Sequence, residues 1–333
     1  MKIHFDWRLS RVLDDQGNIV DEIEWDGTMS PSALAKRLMK IQNGRNLPEV
    51  VVLSERFPEA EIDPLGALSD SNWPEITGQE ELFHRATLKL AKMGVAESSG
   101  DLDRRLDMLV SATMELRSTW TTSEARCIEW AGLFITEADL DSQRSEIPQI
   151  IASSQSISEA SESLGVSPPK HLPSDSEWSS MISHATSVIS FSQMLEQLED
   201  SIREIGLSYV PSLSALLGPI SAAKLISLAG GRERLARMPS GSLQVLGAHA
   251  AMSAHRRGAP PPKHGAVLFS MPQVSRSPRW VRGKIARFLA GKASIAVRVD
   301  HFDGEKWEKS QIDEINREIE AIKSKFPRPP NRR

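Results

Sequence analysis

Residues 102–134 read LDRRLDMLVSATMELRSTWTTSEARCIEWAGLF. Within them Leu102, Leu106, Leu109, Thr113, Leu116, Trp120, Ser123, Cys127, Trp130 and Phe134 follow one another at alternating spacings of four and three. A second run, Met181, His184, Val188, Phe191, Leu195, Leu198, Ile202 and Ile205, repeats the pattern. Sustained 3–4 spacing marks a coiled-coil seam rather than an isolated surface helix. Between the runs, residues 141–176 are rich in Ser, Glu and Pro, with Pro168, Pro169 and Pro173 as helix breakers. The spacing predicts a long helix out, a compact helical tip over 141–176 and a long helix back. Such an antiparallel hairpin leaves a flank free to pair with a second copy, whereas a plain helical bundle core is the simpler alternative. His184 and Cys127 lie on the seams with no partner at ligand spacing, so both read as packing. Thr113 and Ser123 are polar seam positions of the kind that set register.

Before this hairpin, the chain to about Ala96 reads as a small α/β unit. Lys2–Trp7 alternates in polarity, residues 14–18 (DDQGN) carry turn chemistry, and Ile19–Trp25 alternates again. Together they predict a hairpin. Ser30 and Pro31 supply an N-cap and an N1 proline for a helix carrying Leu34, Leu38 and Ile41. Glu49–Leu53 (EVVVL) is a β-branched run suited to a buried strand. Residues 57–78, rich in Pro, Gly and Asp, are expected to be an irregular loop. No glycine motif follows any predicted strand, so a nucleotide-binding α/β unit has no phosphate cradle.

Charge is segregated along the 333 residues. Residues 1–210 hold 18 Lys and Arg against 35 Asp and Glu, a balance of −17. Residues 211–302 hold 14 basic residues and only Glu233 and Asp300, a balance of +12, and 303–333 contributes +1. A basic segment of this kind points to a polyanion partner for that part alone. No run approaches the roughly 18 consecutive apolar residues of a membrane span. The N-terminus MKIHFDWRLSR lacks the apolar core of a secretory leader, so an intracellular protein without a membrane partner is expected. One cysteine, Cys127, excludes an intramolecular disulfide and a multi-Cys zinc site.

The basic segment has its own punctuation. Residues 213–219 lead into a helix over 222–229 with a Gly230–Gly231 stop. Residues 239–242 are a turn, Leu243–Ala254 reads as a helix of small residues, and residues 260–265 (PPPKHG) form a stiff basic loop. Ser277–Pro278 predicts the start of a helix running to about Gly291. On it, Val281, Ile285, Phe288 and Leu289 share one face while Arg279, Arg282, Lys284 and Arg287 point elsewhere. Arginines so placed suit phosphate and sugar contacts, which position a protein without reading sequence. Few aromatics interleave them, which favours backbone or shape recognition of folded RNA over base stacking.

Four strings are more specific than composition: SLSALLGPISAAKLISLAGG (212–231), MPSGSLQVLGA (238–248), PPKHGAVLF (261–269) and RSPRWVRGKIARFLAGKASIAVRVDHF (276–302). They resemble the signature of the Nop domain. The whole chain is similar in order to the archaeal Nop-domain proteins of box C/D small ribonucleoproteins, relatives of the eukaryotic nucleolar scaffold pair. This resemblance implies an α+β protein of four parts. A fibrillarin-binding α/β domain (1–96) is followed by a coiled-coil dimerisation domain (97–208), an all-α Nop domain (209–303), and a C-terminal helix with a basic tail (304–333). It implies a scaffold and not an enzyme. The Nop domain would bind a guide kink-turn RNA already holding a small kink-turn-binding protein of the ribosomal type. The coiled coil would make a homodimer, with Leu106, Leu109, Leu116, Trp120, Val188, Phe191, Leu195, Leu198 and Ile202 on the dimer or coiled-coil seam. Fibrillarin would methylate ribose 2′-hydroxyls of rRNA or tRNA with S-adenosylmethionine, so this chain itself needs no cofactor or metal. Its place would be the cytoplasm of an archaeal-type cell, or the nucleolus of a eukaryote.

Carried over by position, the RNA-facing candidates are Lys263, His264, Arg276, Arg279, Arg282, Lys284 and Arg287, with Gln244 as a polar contact. One stretch departs from the family, which usually shows Gly-Ala-Glu-Lys followed by an apolar, aromatic-containing helix. Here Gly247-Ala248-His249-Ala250 stands in its place, the run to Gly258 is one residue shorter, and Ser253 replaces the aromatic. The composite RNA–protein surface is altered there, and His255, Arg256 and Arg257 are candidate compensating phosphate contacts. A coiled-coil assembly factor that keeps fibrillarin but has lost RNA binding is the alternative that this departure suggests. A splicing-type scaffold shares the Nop domain, but the compact tail favours the methylation particle. An RNA-processing enzyme using His249, His255, His264 or His301 lacks any supporting spacing.

Overall fold

The computed structural model describes residues 1–70, 72–75 and 77–329. The end of the expected basic tail, 330–333, and positions 71 and 76 of the expected loop lie outside the described residues. The chain forms two units, residues 1–100 and 101–333, each with its own core.

In the first unit β1 (Lys2–Phe5), β2 (Leu9–Leu13), β3 (Ile19–Glu24) and β4 (Glu61–Asp63) form one sheet in the order β3-β2-β1-β4. β1–β2 and β2–β3 are antiparallel, and β4 joins β1 in parallel. The expected hairpin is therefore corrected. The turn at 14–18 joins β2 to β3, and a tighter turn, in which the Asp6 carboxylate accepts the Arg8 and Leu9 N–H groups, joins β1 to β2. All five residues of β2 are buried, so it shows no alternation to read.

α1 (Pro31–Gln42) starts as expected, with the Ser30 hydroxyl accepting from Ala33 N–H. Residues 49–53 are not a strand but part of α2 (Pro48–Arg56). Pro48 occupies its first turn, and Leu47, Val50 and Leu53, three apart, are buried while Val51 and Val52 are exposed. Three-residue spacing against the sheet outweighs β propensity here. Buried Glu49 also receives both Arg37 Nη groups at 3.0 Å. The expected loop 57–78 holds β4 and the short α3 (Gly66–Ser69). The unit closes with α4 (Glu80–Ser98), a helix not anticipated from sequence, which packs on α1.

The second unit opens with α5 (Leu102–Phe134) and returns by α8 (Asp175–Tyr209). They are antiparallel: Arg117 pairs with Glu199, and His184 Nε2 meets the Ser123 carbonyl at 3.0 Å. The tip carries α6 (Ile147–Ser153) and α7 (Ile157–Ser163), and a Ser174–Glu177 capping box starts the return helix. Leu106, Val188, Leu195 and Ile202 are buried in the seam, whereas Leu109, Leu116, Trp120, Phe191 and Leu198 are half-buried.

The remainder is all-helical: α9 (Pro211–Leu217), α10 (Pro219–Ala229), α11 (Arg232–Arg237), α12 (Ser240–Gln244), α13 (His249–Arg256), α14 (Ala266–Ser270), α15 (Pro272–Ser275), α16 (Arg282–His301) and α17 (Lys309–Lys325). Two helices are redrawn. Gly247, at φ +81°, splits the expected 243–254 helix into α12 and α13. α16 starts at Arg282 rather than after Ser277, whose buried hydroxyl donates to the Gln273 carbonyl instead of capping. It also continues past Gly291 to His301. Buried Ala286, Ala290, Ala293 and Ala296 let neighbouring helices approach closely, and that packing outweighs the ~1 kcal/mol helix cost of one glycine. α17 seals the core with Ile315 and Ile319.

Polar contacts fasten these helices to the hairpin's base. The Asp103 carboxylate accepts the Tyr209 hydroxyl at 3.0 Å and the Arg232 N–H at 2.9 Å. Buried Asp300 accepts the Ser212 and Leu213 N–H groups at the start of α9. Burial, reinforced by Asp103, pushes the Tyr209 phenol up to about 12.

Candidate nucleic-acid interface

The stiff loop 260–264 is held by two inward contacts. Gln244 Nε2 donates to the Lys263 carbonyl at 2.6 Å, and Gly265 N–H donates to the Gln244 carbonyl at 2.7 Å. A Cβ on Gly265 would lie 1.9 Å from the Leu246 carbonyl oxygen, so only glycine lets the chain pass there. His264 then stacks on Phe269 with ring centroids 4.7 Å apart. Across from the loop, α16 turns Lys284 and Arg287 outward while Ile285, Ala286 and Leu289 are buried.

The result is an open groove of about 680 Å³ between loop and helix, lined by Lys263, Lys284 and Arg287 with Pro260–Pro262, Gln244, Gly283 and Trp280. No carboxylate lines it among the described residues. Three exposed cations beside a partly apolar floor make a site for a polyanion with flat or apolar parts.

The sequence candidates divide. Lys263, Lys284 and Arg287 converge on this groove. Gln244 is buried and spends its amide on the loop, so it acts as a strut rather than an outward contact. Gly247, Ala248 and Ala250 meet His264 and Phe269 at a second, shallower depression of about 290 Å³, which His249 does not line. Arg282 donates Nε to the Ser277 carbonyl and lies over Phe269, 5.6 Å from its centroid. Arg276, Arg279, Arg256 and Arg257 are exposed but line neither concavity. Sequence reasoning passed over Trp280, which lines the groove, and Phe326, which packs behind it. The single tryptophan inside the basic run 276–287 was the available signal. Among the described residues no His, Cys, Asp and Glu side chains gather as a metal site.

A coiled-coil hairpin bearing an all-α module with a basic groove defines the structural class. The Nop family model, described as "snoRNA binding domain, fibrillarin", matches residues 125–322, more than half of the chain. The chain belongs to the Nop family. It is 41% identical over 135 residues to an uncharacterised NOP5 family protein of Methanocaldococcus jannaschii, covering 40% of this chain and 32% of that protein. It is 26% identical over 259 residues to nucleolar protein 58 of Candida albicans (70% of this chain, 50% of that one). Human nucleolar protein 56 is 36% identical over 121 residues, with coverage of 36% and 20%. The matches thus span between a fifth and a half of the length of these curated relatives. A chain in the crystal structure of a fibrillarin/Nop5p complex aligns over 92% of this chain and 97% of its own, with 21% identity and a TM-score of 0.42.

Proposed function

We propose that this chain is a non-catalytic scaffold of a box C/D-type ribonucleoprotein guiding ribose 2′-O-methylation. The observation that carries this is the convergence of Lys263, Lys284 and Arg287 on one carboxylate-free groove inside the segment matched by a snoRNA-binding family model. In this reading the C-terminal helices grip a kink-turn RNA with its kink-turn-binding protein, and the hairpin pairs with a second copy. The first unit holds fibrillarin, which carries S-adenosylmethionine and performs the methyl transfer. Scaffolding of this kind lowers a barrier by proximity and orientation, without a catalytic group of its own. Relatives named as nucleolar proteins support a location with such particles.

The test is a gel-shift titration with a box C/D kink-turn RNA, with and without the kink-turn-binding protein. Tight binding only to the preformed complex supports the proposal, and Lys263→Glu or Arg287→Glu should then weaken it. A specific observation favours the assembly-factor alternative: α13, which carries the altered motif, buries no side chain and exposes His249 and Ala250. Failure to bind either RNA form would transfer the protein to that class.

A further inference from the structure

Trp280 has no assigned role, yet it stands on the wall of the basic groove with about a third of its surface open. Its orientation is fixed from behind, because the indole Nε1–H donates to the Phe326 carbonyl at 2.9 Å. Phe326 also packs under Lys284, whose Nζ lies 4.1 Å from the ring centroid. One residue of the C-terminal segment therefore holds both a flat aromatic surface and a cation at the groove. A ring already immobilised loses little further entropy on binding a ligand.

We propose that Trp280 is a stacking platform for one unpaired RNA base, whose flanking phosphates lie between Lys263, Lys284 and Arg287. An aromatic face beside a carboxylate-free cationic track is the arrangement that holds single-stranded nucleic acid without reading its sequence. The groove volume lies within the roughly 300–1,000 Å³ range of small-molecule clefts, enough for a nucleotide. An acidic protein segment would use the same cations, but its carboxylates offer no aromatic ring to stack on the indole. The inference rests on the proposed RNA-binding reading and adds to it a base contact beyond the kink-turn.

The experiment uses the full chain and three RNAs: a kink-turn RNA with a short oligouridine flank, the same RNA with an abasic flank, and the RNA with no flank. A free oligouridine is titrated in parallel, so that failure of kink-turn recognition in the wild type is seen separately from failure of stacking. Uridine flanks should bind roughly tenfold more tightly than abasic ones. Trp280→Ala should abolish that difference and weaken binding of uridine-flanked RNA more than of flankless RNA, whereas Trp280→Phe, which cannot donate to Phe326 but can still stack, should keep most of it. Free oligouridine should follow the same order among the variants. Equal wild-type affinity for uridine and abasic flanks overturns the proposal. So does a loss on Trp280→Ala that is equal for all three RNAs and appears only with the kink-turn-binding protein present, which would make the indole a protein contact.

Discussion

Gln244 illustrates how much a single side chain can decide. Its side-chain amide donates to the Lys263 carbonyl, beside the backbone bond from Gly265 N–H to the Gln244 main-chain carbonyl, so it ties α12 to the loop that presents Lys263 and His264. Gln244→Ala strands the Lys263 carbonyl and should cost about 1–3 kcal/mol in denaturant unfolding. RNA affinity should fall further than for removal of a surface polar group, and wild-type stability with wild-type affinity would count against the strut role. Cys127 gives a second residue-level outcome. Burial, helped by the charge of Glu124, pushes its thiol from 9.0 up to about 11. The native protein should therefore resist thiol reagents at neutral pH and react once unfolded. Below pH 9.0 the thiol is protonated in both states and costs nothing. Between 9.0 and about 11 only the unfolded chain loses the proton, so stability falls as pH rises through that window. Tyr209, raised from 10.0 to about 12, extends the loss upward. An alkaline pH–stability curve flat to pH 11 would contradict both assignments.

At the scale of elements, the hairpin shows which seam positions matter. Leu106 is fully buried where α5 enters the C-terminal core, while Met108, two residues on, is 63% exposed. Leu106→Ala should cost about 2–5 kcal/mol through lost burial and a cavity. Met108→Ala should change stability by less than about 0.5 kcal/mol. Equal effects, measured by urea unfolding, would mean that the packing described for α5 is wrong. Helix boundaries and the identity of α2 were less legible. Three consecutive valines look like a strand until the Leu47, Val50, Leu53 stripe is placed against a sheet. Ser277–Pro278 looks like a helix start until the serine hydroxyl is seen turned back to Gln273. Both motifs are locally ambiguous, and the neighbouring elements settle them.

At the scale of the whole molecule, the cores of the two units share no residue. Calorimetry should resolve two unfolding transitions, with Leu106→Ala shifting only the one that belongs to residues 101–333. A single transition moved as a whole by that substitution would show the units to be one cooperative block.

Periodicity and punctuation, which depend on side-chain spacing along a single helix, were enough to set the long hairpin, the helical C-terminal region and the basic character of 211–302. So were the stop at Gly230 and the family strings, because each is written in contiguous residues. Tertiary structure alone decided that β2 is a central strand, that residues 49–53 form part of a helix, and that Lys263 from a loop meets Lys284 and Arg287 from a helix. It alone also brought Trp280 under the control of Phe326, 46 positions away. Those outcomes depend on which surfaces face each other after folding, and burial against a distant partner outweighs local propensity wherever the two compete.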